Sequence, residues 1–130
     1  MNKLKYLIIA ATVFAFSCSK DNADPKTLTG RWKYYGSSIS AGGPQQFHRA
    51  AEDDKNFILF ENNSKLTSTV FPQYVKYAIK DSVTVTFTKA NNEIQNFAFV
   101  IKDNLLHLSP IGPGPVCIEG CSTSFIKEKD

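Results

Sequence analysis

The sequence predicts an all-β protein, an antiparallel up-and-down barrel of eight strands, and two observations carry that reading. Apolar and polar residues alternate in short segments, most clearly over 82–88, where Val83, Val85 and Phe87 oppose Ser82, Thr84, Thr86 and Thr88. Strict alternation leaves one face dry and one wet, as in an antiparallel sheet. The connections between these segments are mostly two to six residues long, and no stretch carries a convincing long helical period. Short links keep neighbours in sequence adjacent in space. Closing such a meander into a barrel removes its exposed edges.

The first 17 residues are a leader. Lys3 and Lys5 form a basic start, and an apolar run of about eleven residues follows over 6–16. A helix needs ~20 apolar residues to span a bilayer core, so this segment is expected to be cleaved. Residues 18–27 are a polar tether containing Pro25, and 28–130 form the single domain. A mature chain of 113 residues supports one core and not two.

The domain opens on Leu28-Thr29-Gly30-Arg31-Trp32-Lys33-Tyr34-Tyr35, where Trp32 and Tyr34 alternate with charged neighbours as in a half-buried strand. Residues 36–55 are the longest stretch without a strand period and are expected to form a loop, with room for a short helical turn over 49–54. Strands are then expected over 56–61, 65–71, 74–80, 82–88, 95–101, 105–109 and 122–128. The segment 110–115 holds three prolines and two glycines and is not expected to act as a central strand.

Charge excludes one class of partner. The net charge of +3 includes Lys3 and Lys5, so the mature chain carries 13 basic against 12 acidic residues, a net of +1. The lysines are spread singly, with no patch suited to nucleic acid.

The Ala15-Phe16-Ser17-Cys18 junction resembles the lipobox of bacterial lipoproteins, with Phe16 departing from the commonest pattern. The resemblance implies that Cys18 is alkylated with diacylglycerol and becomes the first residue, a membrane anchor that needs no transmembrane helix. The Ser19-Lys20-Asp21 patch after it is similar to a surface-export signal of lipoproteins in one group of Gram-negative bacteria, which implies the outer membrane, facing outward. An ordinary flexible tether is the alternative.

With Cys18 lipidated, Cys117 and Cys121 remain, in an oxidising compartment where pairing is the default. Four extended residues cover ~13 Å, whereas a disulfide needs Cα atoms within ~7 Å. A bridge therefore requires a turn, which Gly120 can supply. The rival is a metal site, but these cysteines with His48 and His107 show none of the zinc spacings. No metal and no cofactor are expected.

Gly30-Arg31-Trp32 on a first strand resembles the Gly-x-Trp signature of lipocalins. The lipidated front, Phe57 and Phe60 after a long first loop, and Cys117 to Cys121 before a last strand with Phe125 are similar to small lipocalin-like lipoproteins. The resemblance spans 28–128 and implies a lipocalin-like barrel for a small hydrophobic ligand. Trp32, Tyr34, Tyr77, Phe87 and Phe99 would line it, with Phe47 and His48 on a lid loop. An eight-stranded barrel is also about the size that side chains just fill. The same aromatic residues are therefore equally a core.

Catalysis is not expected. His48 sits in the loop, His107 alternates with core leucines toward the wet face, and Glu52-Asp53-Asp54 reads as a solvated charge run. The remaining class is a filled barrel that works as a protein-interaction or accessory module through Tyr35, Phe47 and the 110–115 loop.

Overall fold

The structure, a computed structural model, describes residues 27–40, 42–116 and 120–129. The leader, Cys18 and Cys117 lie outside the described residues. Nine strands follow in order: β1 (Gly30–Ile39), β2 (Gln46–Arg49), β3 (Phe57–Phe60), β4 (Leu66–Ser68), β5 (Tyr74–Asp81), β6 (Thr84–Lys89), β7 (Ile94–Lys102), β8 (Leu105–Gly112) and β9 (Cys121–Lys127).

Eight of them form one antiparallel sheet in the order β4-β3-β1-β9-β8-β7-β6-β5, and β2 pairs with β1 outside that path. Setting aside β2 and the break between β4 and β5, strands that follow one another in sequence pair, and the last pairs with the first. That is the expected up-and-down, lipocalin-like barrel. The seam between β4 and β5 nearly closes it, through a bridge between Lys65 and Lys76 and a bond from the Tyr77 amide to the Ser64 carbonyl at 3.0 Å. The Tyr77 hydroxyl donates across the same seam to the Glu61 carbonyl at 2.7 Å.

Two expectations are corrected, and β8 runs further than the strand expected over 105–109. The loop assigned to 36–55 contains strand: β1 runs on to Ile39 and folds back as β2, pairing Ser38 with Phe47 and Gly36 with Arg49. Its period was hidden because all four β2 residues are exposed, so neither face is written in apolar residues. The helical turn over 49–54 is only a single tight turn, with the Asp54 amide bonded to the Ala51 carbonyl at 3.0 Å. Pro110 does lie in a strand, paired with Phe97 beside a register shift at Asn96. β9 pairs with β8 only through Leu108, so at Pro110 the strand is an edge and its missing N–H breaks no ladder.

The core follows the alternation except at the start of β6, where Val83 falls in the turn and is 58% exposed while Thr84 is buried. Trp32, Ile58, Phe60, Leu66, Tyr77, Val85, Phe87, Phe97, Phe99, Leu106, Leu108 and Phe125 all point inward and are buried. Around Phe87 the rings form a continuous stack: Phe97 lies 4.7 Å away between centroids, Tyr74 5.6 Å and Phe60 6.0 Å, and Phe60 meets Tyr77 edge-on at 4.9 Å. The barrel interior along this axis is side chain.

One end is closed by the start of the domain. Leu28 and Trp32 are both 1% exposed, and the Trp32 indole N–H donates to the Leu28 carbonyl at 2.8 Å. The Lys127 ammonium sits 4.7 Å from the Trp32 ring centroid and also reaches the Thr29 carbonyl. Glycine suits position 30 because its φ of +121° is a conformation that L side chains rarely adopt. The Arg31–Glu128 ion pair, 2.6 Å, ties the last residues back to β1.

Candidate functional site

The opposite end is the mouth, and its lining comes from two turns. β4 ends at Ser68, short of the strand expected over 65–71, and the Ser68 hydroxyl accepts the amides of Val70 and Phe71, each at 3.0 Å. That turn tips the Phe71 ring over the interior, where it meets Phe97 at 5.4 Å, Phe87 at 6.1 Å and Phe125 at 6.3 Å. The second turn follows β8 and brings Gly114 against Gln95. A Cβ at Gly114 would collide with Gln95 Oε1 as it is placed, so glycine lets the turn close over that side chain.

Between the turns lies a shallow recess of about 210 Å³, lined by Phe71, Gln73, Tyr74, Gln95, Phe97, Pro110 and Pro115. Gln95 is 3% exposed. Its amide nitrogen donates to the Asn96 carbonyl at 3.2 Å and lies 3.5 Å from the Pro115 carbonyl, whereas Oε1 is buried with no hydrogen-bond partner. The recess is thus an aromatic floor beside a buried amide, packed against Gly114, whose oxygen has no hydrogen-bond partner. Chemically it suits a small apolar group bearing an O–H or N–H.

Of the six sequence candidates, Trp32, Tyr77, Phe87 and Phe99 share one buried core cluster with Tyr34 packed against it, and none of the six lines the recess. Tyr77 and Phe87 belong to the ring stack, and Trp32 plugs the far end. Tyr34 is half-buried, edge-on to Phe125 at 6.0 Å. Phe99 faces a larger hollow at the closed end, about 590 Å³, with Thr27, Leu28, Thr29, Ile79, Asp81, Ser82, Val83, Val100 and Ile101. Phe47 is 47% exposed and lies on Tyr35 at 5.7 Å, and His48 lines a separate cleft with Ile39 and Pro44. Neither belongs to the recess lining.

Phe71 and Gln95 were missed as site residues. Phe71 lay within the strand expected over 65–71, and its turn is set by Ser68 after β4 has already ended, which alternation does not reveal. Gln95 gave no signal, because a polar residue at a strand start usually faces water.

His107 is not the plain surface residue expected. Its Nδ1 lies 2.7 Å from the Ser124 hydroxyl, directly across the β8–β9 ladder. Ser124 is 1% exposed, so the hydroxyl is sealed from any substrate and the contact fastens the two strands. Two exposed carboxylates titrate low: Asp81, because it accepts the Val83 amide, and Glu93, because Lys89 hydrogen-bonds to it. Both are turn contacts. No group of three metal-ligating side chains occurs among the described residues. No family model, curated protein or solved structure matches the chain.

Proposed function

We propose that this protein is a lipocalin-like lipoprotein, anchored in the outer membrane through a diacylated Cys18 and displayed at the cell surface, that takes one small apolar molecule at its barrel mouth. The observation that carries the ligand is Gln95 Oε1, a buried acceptor without a partner beside an aromatic floor. Such an acceptor costs about 1–3 kcal/mol, and a ligand donor recovers it. The filled interior favours a ligand at the mouth over one along the axis.

The anchor rests on the leader and on the resemblance of the junction before Cys18 to a lipobox. The described chain starts with Thr27 at the closed end, which leaves the mouth facing away from the tether. The same oxidising location favours a Cys117–Cys121 bridge, and Gly120, at φ +88°, supplies the turn it needs.

The filled interior also favours a second reading, a protein-interaction module. Ile39 and Phe47, 53% and 47% exposed, with Tyr35 beneath Phe47, would form its contact.

Mass spectrometry tests both halves. The mature chain extracted from membranes is expected to begin at Cys18, to carry diacylglycerol, and to be two hydrogens lighter for the bridge. Under native conditions it is expected to hold one saturable small adduct, which Gln95→Leu removes without unfolding the barrel. An adduct held equally by Gln95→Leu, or none on the parent after incubation with lipid extract of the producing cells, contradicts the mouth site and leaves the interaction module.

A further inference from the structure

The hollow at the closed end has an unusual rim. Ile79, Val83 and Val100 are 56%, 58% and 57% exposed, yet they line one continuous surface with Leu28, Phe99 and Ile101. They come from three places in the sequence: the end of β5, the turn into β6, and β7. The Phe99 amide donates to the Val83 carbonyl at 2.9 Å, fixing the turn beside β7. Aliphatic side chains converging from separate elements and left in water mark a contact surface.

Where the chain leads identifies the contact. Thr27 lies on this same hollow, and nine residue steps separate it from Cys18. Fully extended, they span at most about 32 Å. A diacylated Cys18 therefore tethers the chain through this end of the barrel and holds it within that distance of the bilayer. The charges beside the rim balance: Lys80 and Lys102 are exposed, and so are Asp81 and Asp103. A balanced rim gives little attraction to anionic headgroups, so the apolar residues do the holding.

We propose that the Ile79–Val83–Val100 rim docks onto the surface of the phospholipid bilayer that carries the protein's own anchor, seating the barrel closed end down with its mouth outward. The inference rests on the anchor proposed above. Side chains of this kind settle ~5–10 Å into the boundary between headgroups and acyl chains. Docking is then insensitive to salt.

The test uses the full precursor, processed in a Gram-negative host and reconstituted into phosphatidylcholine vesicles containing lipid brominated along the acyl chain. Val83→Trp and Val100→Trp add a reporter at the rim, and Ile39→Trp adds one at the opposite end. All three positions are over half exposed, so the folded barrel tolerates the ring. The native Trp32 is buried and serves as a constant background. The expected result is blue-shifted emission from both rim reporters, with the added signal quenched by about half or more at that depth. Ile39→Trp is expected to stay unquenched, and high salt to change nothing.

A chain that is diacylated at Cys18 and floats with the vesicles, but whose rim reporters are quenched no more than Ile39→Trp, overturns the docking face alone. A chain without the diacylglyceryl mass that fails to float overturns the anchor and the docking together. Rim reporters shielded only in a dimer, seen by sedimentation in detergent, assign the face to a second copy and also overturn the proposal.

Discussion

Trp32→Ala is expected to destabilise the domain by about 3–5 kcal/mol, the cost of truncating a large buried aromatic side chain. The loss has three separable parts. Trp32 is 1% exposed, its indole N–H satisfies the Leu28 carbonyl at 2.8 Å, and its ring carries the Lys127 ammonium at 4.7 Å. Removing it uncovers Leu28 and frees the chain just where the tether joins the barrel. Trp32→Phe keeps most of the apolar contact and loses the N–H, so it is expected to cost about 1–3 kcal/mol, as for a buried carbonyl left unpaired. Urea unfolding of the two variants measures the difference. A Trp32→Phe loss close to zero would mean that the hydrogen bond contributes nothing beyond the packing.

Phe87→Ala is expected to cost about as much, roughly 3–5 kcal/mol, and it decides what the barrel interior is. Phe87 is 0% exposed and meets Phe60, Phe71, Tyr74 and Phe97 at centroid distances of 6.0, 6.1, 5.6 and 4.7 Å. If the interior is a close-packed core, the deletion leaves a cavity and the full loss appears. If the rings instead line an open ligand channel, the side chain already borders empty space and the loss falls well below this range. A small domain has about 5–15 kcal/mol of stability in total. Phe47→Ala, at an exposed ring outside the barrel, is expected to change stability by about 0.5 kcal/mol or less.

These two residues show how far the sequence could be read. The alternation that put Val85 and Phe87 on one face of β6 also put Phe97 and Phe99 on one face of β7, and eight such segments joined by short links leave few alternatives to a meandering barrel. Hydrophobic period reports burial, so it found the core. It could not distinguish a filled barrel from an open one, because a ring that lines a cavity and a ring that packs a core obey the same period. β2 escaped for the converse reason: with Gln46, Phe47, His48 and Arg49 all exposed, there was no buried face to impose alternation. The prolines of the 110–115 segment argued rightly against a central strand. They said nothing of a strand that has lost its neighbour on one side, as β8 has beyond Leu108.

The mouth was the least legible part. Its lining is made by turns, and turn geometry depends on hydrogen bonds such as those from the Val70 and Phe71 amides to Ser68. Gln95 became a candidate only when the approach of Gly114 buried its side chain and left Oε1 without a donor.

The most direct test of a mouth site over a filled interior is the affinity of the mature protein for a series of straight-chain primary alcohols, followed by calorimetry. The alcohol supplies the donor for Gln95 Oε1, and the tail lies on Phe71, Tyr74 and Phe97. Each buried methylene contributes about 0.8 kcal/mol, roughly fourfold in affinity. The predicted result is a rise over the first members that levels off once the recess of about 210 Å³ is full. Affinity that keeps climbing to the length of a membrane fatty acyl chain would mean an open interior, and no binding along the whole series would mean that the mouth holds no ligand of this class. Either would contradict the account.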